Sequence, residues 1–243
     1  LESHRAKVTP RREKTLRPTS AQIFLLPTYS NQILLNTDLE SLIFPNFYFP
    51  NSMNHLAHCF LSFGNEDLLI GNFIGDYVKG SAWKSYLEGV QKGILLHRTI
   101  DSFTDNHPFA KRSKERIRPF AGRYAGPLVD VLYDHLLAIH WEKYAAEPFD
   151  VFAKKTYAQL EKRAAEMPAE LQVTLPKMLA GKFLHGYQTR EGLEWVLHRF
   201  SRRMVGGMDA LGQANFFFEN IGAFSEDFDG FFPDLVKTAR EKI

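Results

Sequence analysis

An all-α fold, a compact bundle of several helices behind an irregular N-terminal extension, is what this sequence predicts, on three observations. From Met53 onward apolar residues recur at offsets of three and four, the period of a half-buried helix. Glycine and proline interrupt that pattern at Gly64, Gly80, Pro108, Gly122, Pro148, Pro168, Gly186 and Gly206, leaving stretches of ordinary helix length. No run alternates apolar and polar residues convincingly, as a half-buried strand would.

Helices are therefore expected near residues 54–62, 67–78, 84–104, 109–119, 127–145, 149–166, 171–183 and 190–204, with a last, broken one over 209–240. Pro127 suits the start of the fifth, where its missing N–H is not needed. Phe217, Ile221, Phe224, Phe228 and Phe231 step by four, three, four and three along the final segment, which marks a core face. Trp141, Tyr187 and Trp195 read as packing anchors.

Residues 1–52 differ in kind from residues 53–243. They open basic and proline-containing from Arg5 to Pro18, then show short apolar patches with no sustained period. No methionine occurs before Met53, so Met53 is expected to be the true start and the preceding residues an over-extended reading frame. A basic organelle-targeting leader is the rival reading, opposed by Glu2, Glu13, Asp38 and Glu40.

The 30 Lys/Arg and 28 Asp/Glu of the 243 residues give a net charge of +2. Six and four of them fall in residues 1–52, leaving 24 of each sign in the body. A neutral body argues against a nucleic-acid partner. No apolar run reaches the roughly 18 residues of a membrane span. The single cysteine, Cys59, excludes an intramolecular disulfide and fits a reducing compartment, the cytoplasm by default.

Polar residues then appear where core is expected. Leu87, Val90, Ile94, His97 and Asp101 follow one helix face at offsets of three, four, three and four. A buried imidazole and carboxylate are costly unless paired or bound to a metal, and residues four apart project to the same side. The pair suits a metal and a structural hydrogen bond alike. Leu128, Val131, His135 and Ile139 form a second stripe, with Asp134 beside His135 and Asp130 one turn earlier. Neighbouring residues point about 100° apart, yet both reach one metal or two when a helix lines a pocket. His55 and His58 lie three apart on the first helix, and Asp76 ends Gly71-Asn72-Phe73-Ile74-Gly75-Asp76. A helix cap or a surface position explains each of these singly. Together, four helices carry His or Asp on or beside a buried face, a pattern that suits a metal in a bundle core.

These residues carry a resemblance to the bacterial acyl carrier protein phosphodiesterase family, itself distantly similar to HD-domain phosphohydrolases. It rests on Met53-Asn54-His55-Leu56-Ala57-His58, on Gly71-Asn72 with Asp76, on His97-Arg98-Thr99-Ile100-Asp101 with Thr104-Asp105-Asn106, and on Asp130 through Trp141. Trp195, Leu197 and Arg202-Arg203 extend it over most of residues 53–235. Family members begin at the methionine matching Met53. His55 departs from the family, which usually has an aromatic residue there, so His58 is preferred over His55 as a ligand. The resemblance implies an HD-like bundle, a divalent ion, foremost Mn2+, and holo-acyl carrier protein as substrate.

The expected reaction is hydrolysis of the phosphodiester joining 4′-phosphopantetheine to a carrier-protein serine. His97, Asp101, Asp134 and His135 are the expected metal ligands, with His58 and Asp76 as further ligands or supporting groups. A metal, a protonated histidine or Arg98 would assist the departing serine oxygen. Because carrier proteins are small and acidic, Lys111, Arg112, Lys114, Arg116 and Arg118 are the first candidates for docking, and Arg202 and Arg203 the second. A solvated helix face is the plain alternative for such a run. For the C-terminal phenylalanines, lining a pantetheine site is the minority alternative to core packing. Two other functions remain open: a related metal phosphohydrolase acting on a nucleotide such as a guanosine polyphosphate, against which the lack of a Gly-rich phosphate loop counts modestly, and a helical interaction module whose His–Asp pairs are structural.

Overall fold

The computed structural model describes residues 55–201 and 210–243, which are helical over most of their length with no strand among them. The expected start at Met53, the extension over residues 1–52 and the basic pair Arg202 and Arg203 lie outside the described residues.

Helix α1, His55–Phe60, ends in a turn where Phe63 and Gly64 take positive φ of 51° and 76°. Asn65 then caps α2, Glu66–Ile74, its side chain accepting the Leu68 N–H at 3.0 Å, which satisfies one of the unpaired donors of the first turn. A 3-10 turn over Gly75–Tyr77 carries Asp76 away from α2. A second one, Ala82–Ser85, replaces the first residues of the helix expected from 84, so α3 spans Glu88–Asn106. Pro108 occupies the first turn of α4, Pro108–Ala121, as its missing N–H permits.

The single helix expected over 127–145 is two. Helix α5, Ala125–Ile139, breaks at His140, and the short α6, Trp141–Tyr144, follows. Trp141 is buried there, with its Nε1 donating to the Glu147 carbonyl at 2.8 Å. Burial of a large ring with its one donor satisfied accounts for the change of direction. Helices α7, Phe149–Lys162, and α8, Ala169–Ala180, lead to a 3-10 turn over His185–Gln188 and to α9, Arg190–Ser201. The expected break in the last segment falls at Asn220, between α10, Ala210–Glu219, and α11, Ile221–Arg240.

The C-terminal stripe is core. Phe217, Phe224, Phe228 and Phe231 are buried, joined by Phe232, while Ile221 is half-buried. Burying each such ring contributes about 1.5–3 kcal/mol. The same helix buries Asp227 completely. Its carboxylate accepts from Ser113 Oγ at 2.8 Å and is paired with Arg112 and Arg116, all on α4.

Helices α2 and α3 make the most extensive helix pair, because Gly71 and Gly93 let their backbones meet. A Cβ on Gly71 would lie 2.1 Å from the Val90 carbonyl oxygen. This close approach brings Asn72 of α2, and Asp76 of the turn that follows it, against His97 of α3. No helix of the described residues is long and apolar enough to cross a membrane.

Candidate metal centre

Two helices and one turn bring four titratable side chains together. His58 from α1 and His97 and Asp101 from α3 surround a common centre, and Asp76 from the turn after α2 joins them through His97. The His97 Nε2 lies 3.2 Å from one Asp101 oxygen and 3.3 Å from Asp76 Oδ1, and His58 Nε2 lies 3.3 Å from the other Asp101 oxygen. Donor atoms of His58, His97 and Asp101 all fall within 4.8 Å of one another. The imidazole rings stack at 4.1 Å.

Burial divides the cluster into a floor and a mouth. The histidine side chains are 2% and 5% exposed, whereas Asp101 and Asp76 are 43% and 40% exposed. The site is therefore closed on the imidazole side and open to water, and to a substrate, on the carboxylate side. The Gly75 backbone seals the floor, since a Cβ there would sit 2.2 Å from His97 Cγ.

Asn72 fixes which nitrogens face the centre. Its Nδ2 donates to the His58 carbonyl at 2.7 Å. A carbonyl only accepts, so the amide oxygen faces His58, and His58 Nδ1 must donate to it at 2.7 Å. His97 Nδ1 donates to the Asn72 carbonyl at 2.8 Å. In the neutral imidazoles both Nε2 atoms then present lone pairs to carboxylate oxygens, an arrangement that calls for a cation between them, either a proton or a metal.

These donors fit a divalent cation: two imidazole nitrogens with the tautomer set from behind, and carboxylate oxygens with room for water beside them. Without a metal, the proton takes that role. Burial depresses the His97 pKa, but Asp101 and Asp76 outweigh it and push it up to about 10. Burial likewise raises the Asp101 carboxyl, and the two histidines override it to hold it well below the usual range.

The structure brings together His58, Asp76, His97 and Asp101 from the expected set, and sends Asp134, His135 and Arg98 elsewhere. Asp134 is fully buried and accepts the backbone N–H groups of Leu56 and Ala57 at 2.8 and 2.9 Å, capping α1. The Tyr187 hydroxyl also bonds it. Burial lifts its carboxyl to about 7, against the pull of these three hydrogen bonds. His135 Nδ1 donates to the Tyr187 carbonyl at 2.8 Å, and its ring meets Phe217 and Phe218 edge-on. Burial pushes its pKa down to about 4. Both side chains are committed to Tyr187 and α1, which orients the helix bearing His58. Asp134 does border a small cavity beside His58 and Asp101, but its oxygens point to the helix start.

Arg98 Nη2 donates to the carbonyls of Val78 and Gly80, both at 3.0 Å, which ties down the loop after Asp76. The basic run divides in the same way. Arg112 and Arg116 hold Asp227, and the buried Lys114 reaches Asp105 at 2.6 Å. Lys111 and Arg118 are exposed. His55 is buried with its ring against Phe73 and Phe183. A cavity of about 640 Å³ lies around Phe60, Trp141 and Phe152 and includes none of the four clustered residues.

Two residues that matter to the centre carry no signal in a periodicity search. Asn72 and Gly75 act across the α2–α3 contact, and only the run Gly71 to Asp76, apolar except at Asn72 and Asp76, hints that this stretch is unusual.

Comparison with known proteins agrees with the residue pattern. The sequence model of the acyl carrier protein phosphodiesterase family matches residues 53–235. A protein of Enterobacter sp. (strain 638) named acyl carrier protein phosphodiesterase is 30% identical over 192 residues, covering 78% of this chain and 99% of its own. A protein of the same name from Salmonella paratyphi A is also 30% identical over 192 residues, with the same coverage. One from Pectobacterium atrosepticum is 29% identical over 189 residues, 77% of this chain and 98% of its own. No solved structure matches the chain. With the family model spanning most of its length, the clustered His58, Asp76, His97 and Asp101 included, the chain belongs to the acyl carrier protein phosphodiesterase family.

Proposed function

We propose that the chain hydrolyses the phosphodiester of holo-acyl carrier protein, releasing 4′-phosphopantetheine and apo-carrier, with a divalent ion, foremost Mn2+, held by His58, His97, Asp101 and Asp76. The observation that carries this reading is the pair of Nε2 lone pairs, fixed from behind and facing two half-exposed carboxylates. Family membership supplies the substrate.

A bound divalent ion would supply Lewis acidity, activating water for attack and neutralising charge on the phosphoryl oxygens. The chain's own residues do the rest. Asp76 and Asp101 leave the mouth of the site open to a phosphodiester carried on a protein surface. Arg98 keeps the Asp76 loop in place, so its guanidinium, which was expected to share in leaving-group assistance, is tied to the carbonyls of Val78 and Gly80 instead. In the overall reaction water's hydroxyl joins phosphorus, the P–O bond to serine breaks, and the serine oxygen gains the proton. For docking of an acidic carrier the exposed Lys111 and Arg118 are the preferred contacts. Lone, buried Cys59 supports a reducing, cytoplasmic setting.

The test is incubation of the full chain with holo-acyl carrier protein and Mn2+, followed by intact mass. The expected result is loss of one phosphopantetheine unit from the carrier and its appearance in solution. An unchanged carrier in the presence of folded, metal-loaded protein sinks the reading.

A further inference from the structure

We propose that the Asn72 side chain is a positioning residue that sets the tautomer of one clustered histidine only, His58, while the Asn72 backbone sets that of the other, His97. The inference rests on the reading of the cluster as a divalent-metal centre. Each histidine has its Nδ1 on residue 72, but through different atoms: His58 on the amide Oδ1 at 2.7 Å, His97 on the main-chain carbonyl at 2.8 Å.

The amide is itself locked. Its Nδ2 donates to the His58 carbonyl at 2.7 Å and approaches Ser62 Oγ at 3.4 Å, while Ser62 Oγ donates back to the same carbonyl at 3.0 Å. Asn72 is fully buried, as are Ser62 and His58, so water does not replace these bonds cheaply. Rotation of the amide would set its donor against the His58 Nδ1 proton and its oxygen against a carbonyl. One orientation is therefore imposed, and with it the Nδ1–H form that turns the His58 Nε2 acceptor toward Asp101 at 3.3 Å. Changing the side chain of residue 72 should disturb His58 and spare His97, because no substitution removes the backbone carbonyl.

The experiment uses the full chain with 15N-labelled histidine, without metal, in which the hydrogen-bonded Nδ1–H protons of His58 and His97 are read by 15N–1H correlation. Asn72→Leu, close in volume, is expected to lose the His58 signal, retain the His97 signal, and weaken Mn2+ binding by calorimetry about 10–100-fold, the range for groups behind metal ligands. Asn72→Asp keeps the acceptor and loses only the donor, so both signals should persist, which tests the idea even if the leucine variant does not fold. Loss of both signals in folded Asn72→Leu, or retention of both, overturns the division of labour. So does loss of the His58 signal in Asn72→Asp, or unchanged Mn2+ affinity in Asn72→Leu. The histidine signals do not depend on carrier-protein turnover, so an inactive enzyme with the expected pattern would count against the proposed reaction and not against Asn72.

Discussion

Helices α3 and α5 each place a histidine and an aspartate in the bundle, and their side chains end in opposite circumstances. On α3, His97 and Asp101 stand four apart, contact each other at 3.2 Å, and leave the carboxylate partly in water. On α5, Asp134 and His135 are adjacent, point apart, and each finds a partner outside the pair: two backbone N–H groups of α1, and the hydroxyl and carbonyl of Tyr187. The same two residue types thus build an open cluster of facing imidazoles and half-exposed carboxylates in one place and a sealed structural clasp in the other. A buried polar residue announces only that it has a partner. The partner decides whether it can do chemistry.

The largest effects should come from the cluster itself. His58→Ala or Asp101→Asn is expected to abolish hydrolysis and divalent-ion binding, a loss of several kcal/mol of transition-state stabilisation, with helical circular dichroism retained. Asp134→Ala should do the reverse. It leaves two amide donors and a tyrosine hydroxyl without their acceptor, costing about 3–4 kcal/mol in urea unfolding, while the folded fraction still binds Mn2+. Normal stability with lost metal binding in Asp134→Ala would break the comparison.

Acid and alkali should separate the two regions next. His135 folds with its pKa down at about 4 against an ordinary 6.5, so its contribution is fully present above pH 6.5 and is lost as pH falls through about 4. That loss is on the order of 3 kcal/mol. His97 is raised to about 10 in the metal-free chain, so its contribution is fully present below pH 6.5 and is lost as pH rises through about 10. Urea unfolding of the metal-free chain across pH should therefore show a shallower acid limb between pH 6.5 and about 4 in His135→Asn, with the Asp101 part below it retained, and a shallower alkaline limb between about 7 and 10 in His97→Asn, with the Asp134 part below it retained. The opposite assignment would invert the roles given to the two helices.

Smaller changes sharpen the picture. Gly75→Ala forces a methyl group into His97 and should weaken Mn2+ affinity about 10–100-fold, with a cost of about 1–3 kcal/mol for overpacking. Replacing both Lys111 and Arg118 with glutamate should alter neither stability nor metal binding and should raise the KM for carrier protein severalfold, by loss of electrostatic steering. The same reversal at Arg112 and Arg116 would not test docking, because it strands the buried Asp227.

The helices, the broken last segment and the aromatic core face were legible in the sequence because they depend on local periodicity, which burial of one face imposes on every residue in turn. His97 and Asp101 were legible as a pair for the same reason, since an offset of four places them together wherever the helix goes. Their juxtaposition with His58 and Asp76 was not, and neither was the orienting role of Asn72 or the space requirement at Gly75. These depend on the α2–α3 crossing, where residues far apart in sequence meet at glycine. Asp134 and His135 carry the same periodic signature as His97 and Asp101, and no rule of spacing separates them. By itself, the sequence determined an all-α chain with buried histidines and aspartates and a family in which to place it. Tertiary structure alone decided which of those polar groups face a common centre and which are consumed holding the helices, because hydrogen bonds are satisfied by the nearest partner in space, and that partner is set by packing.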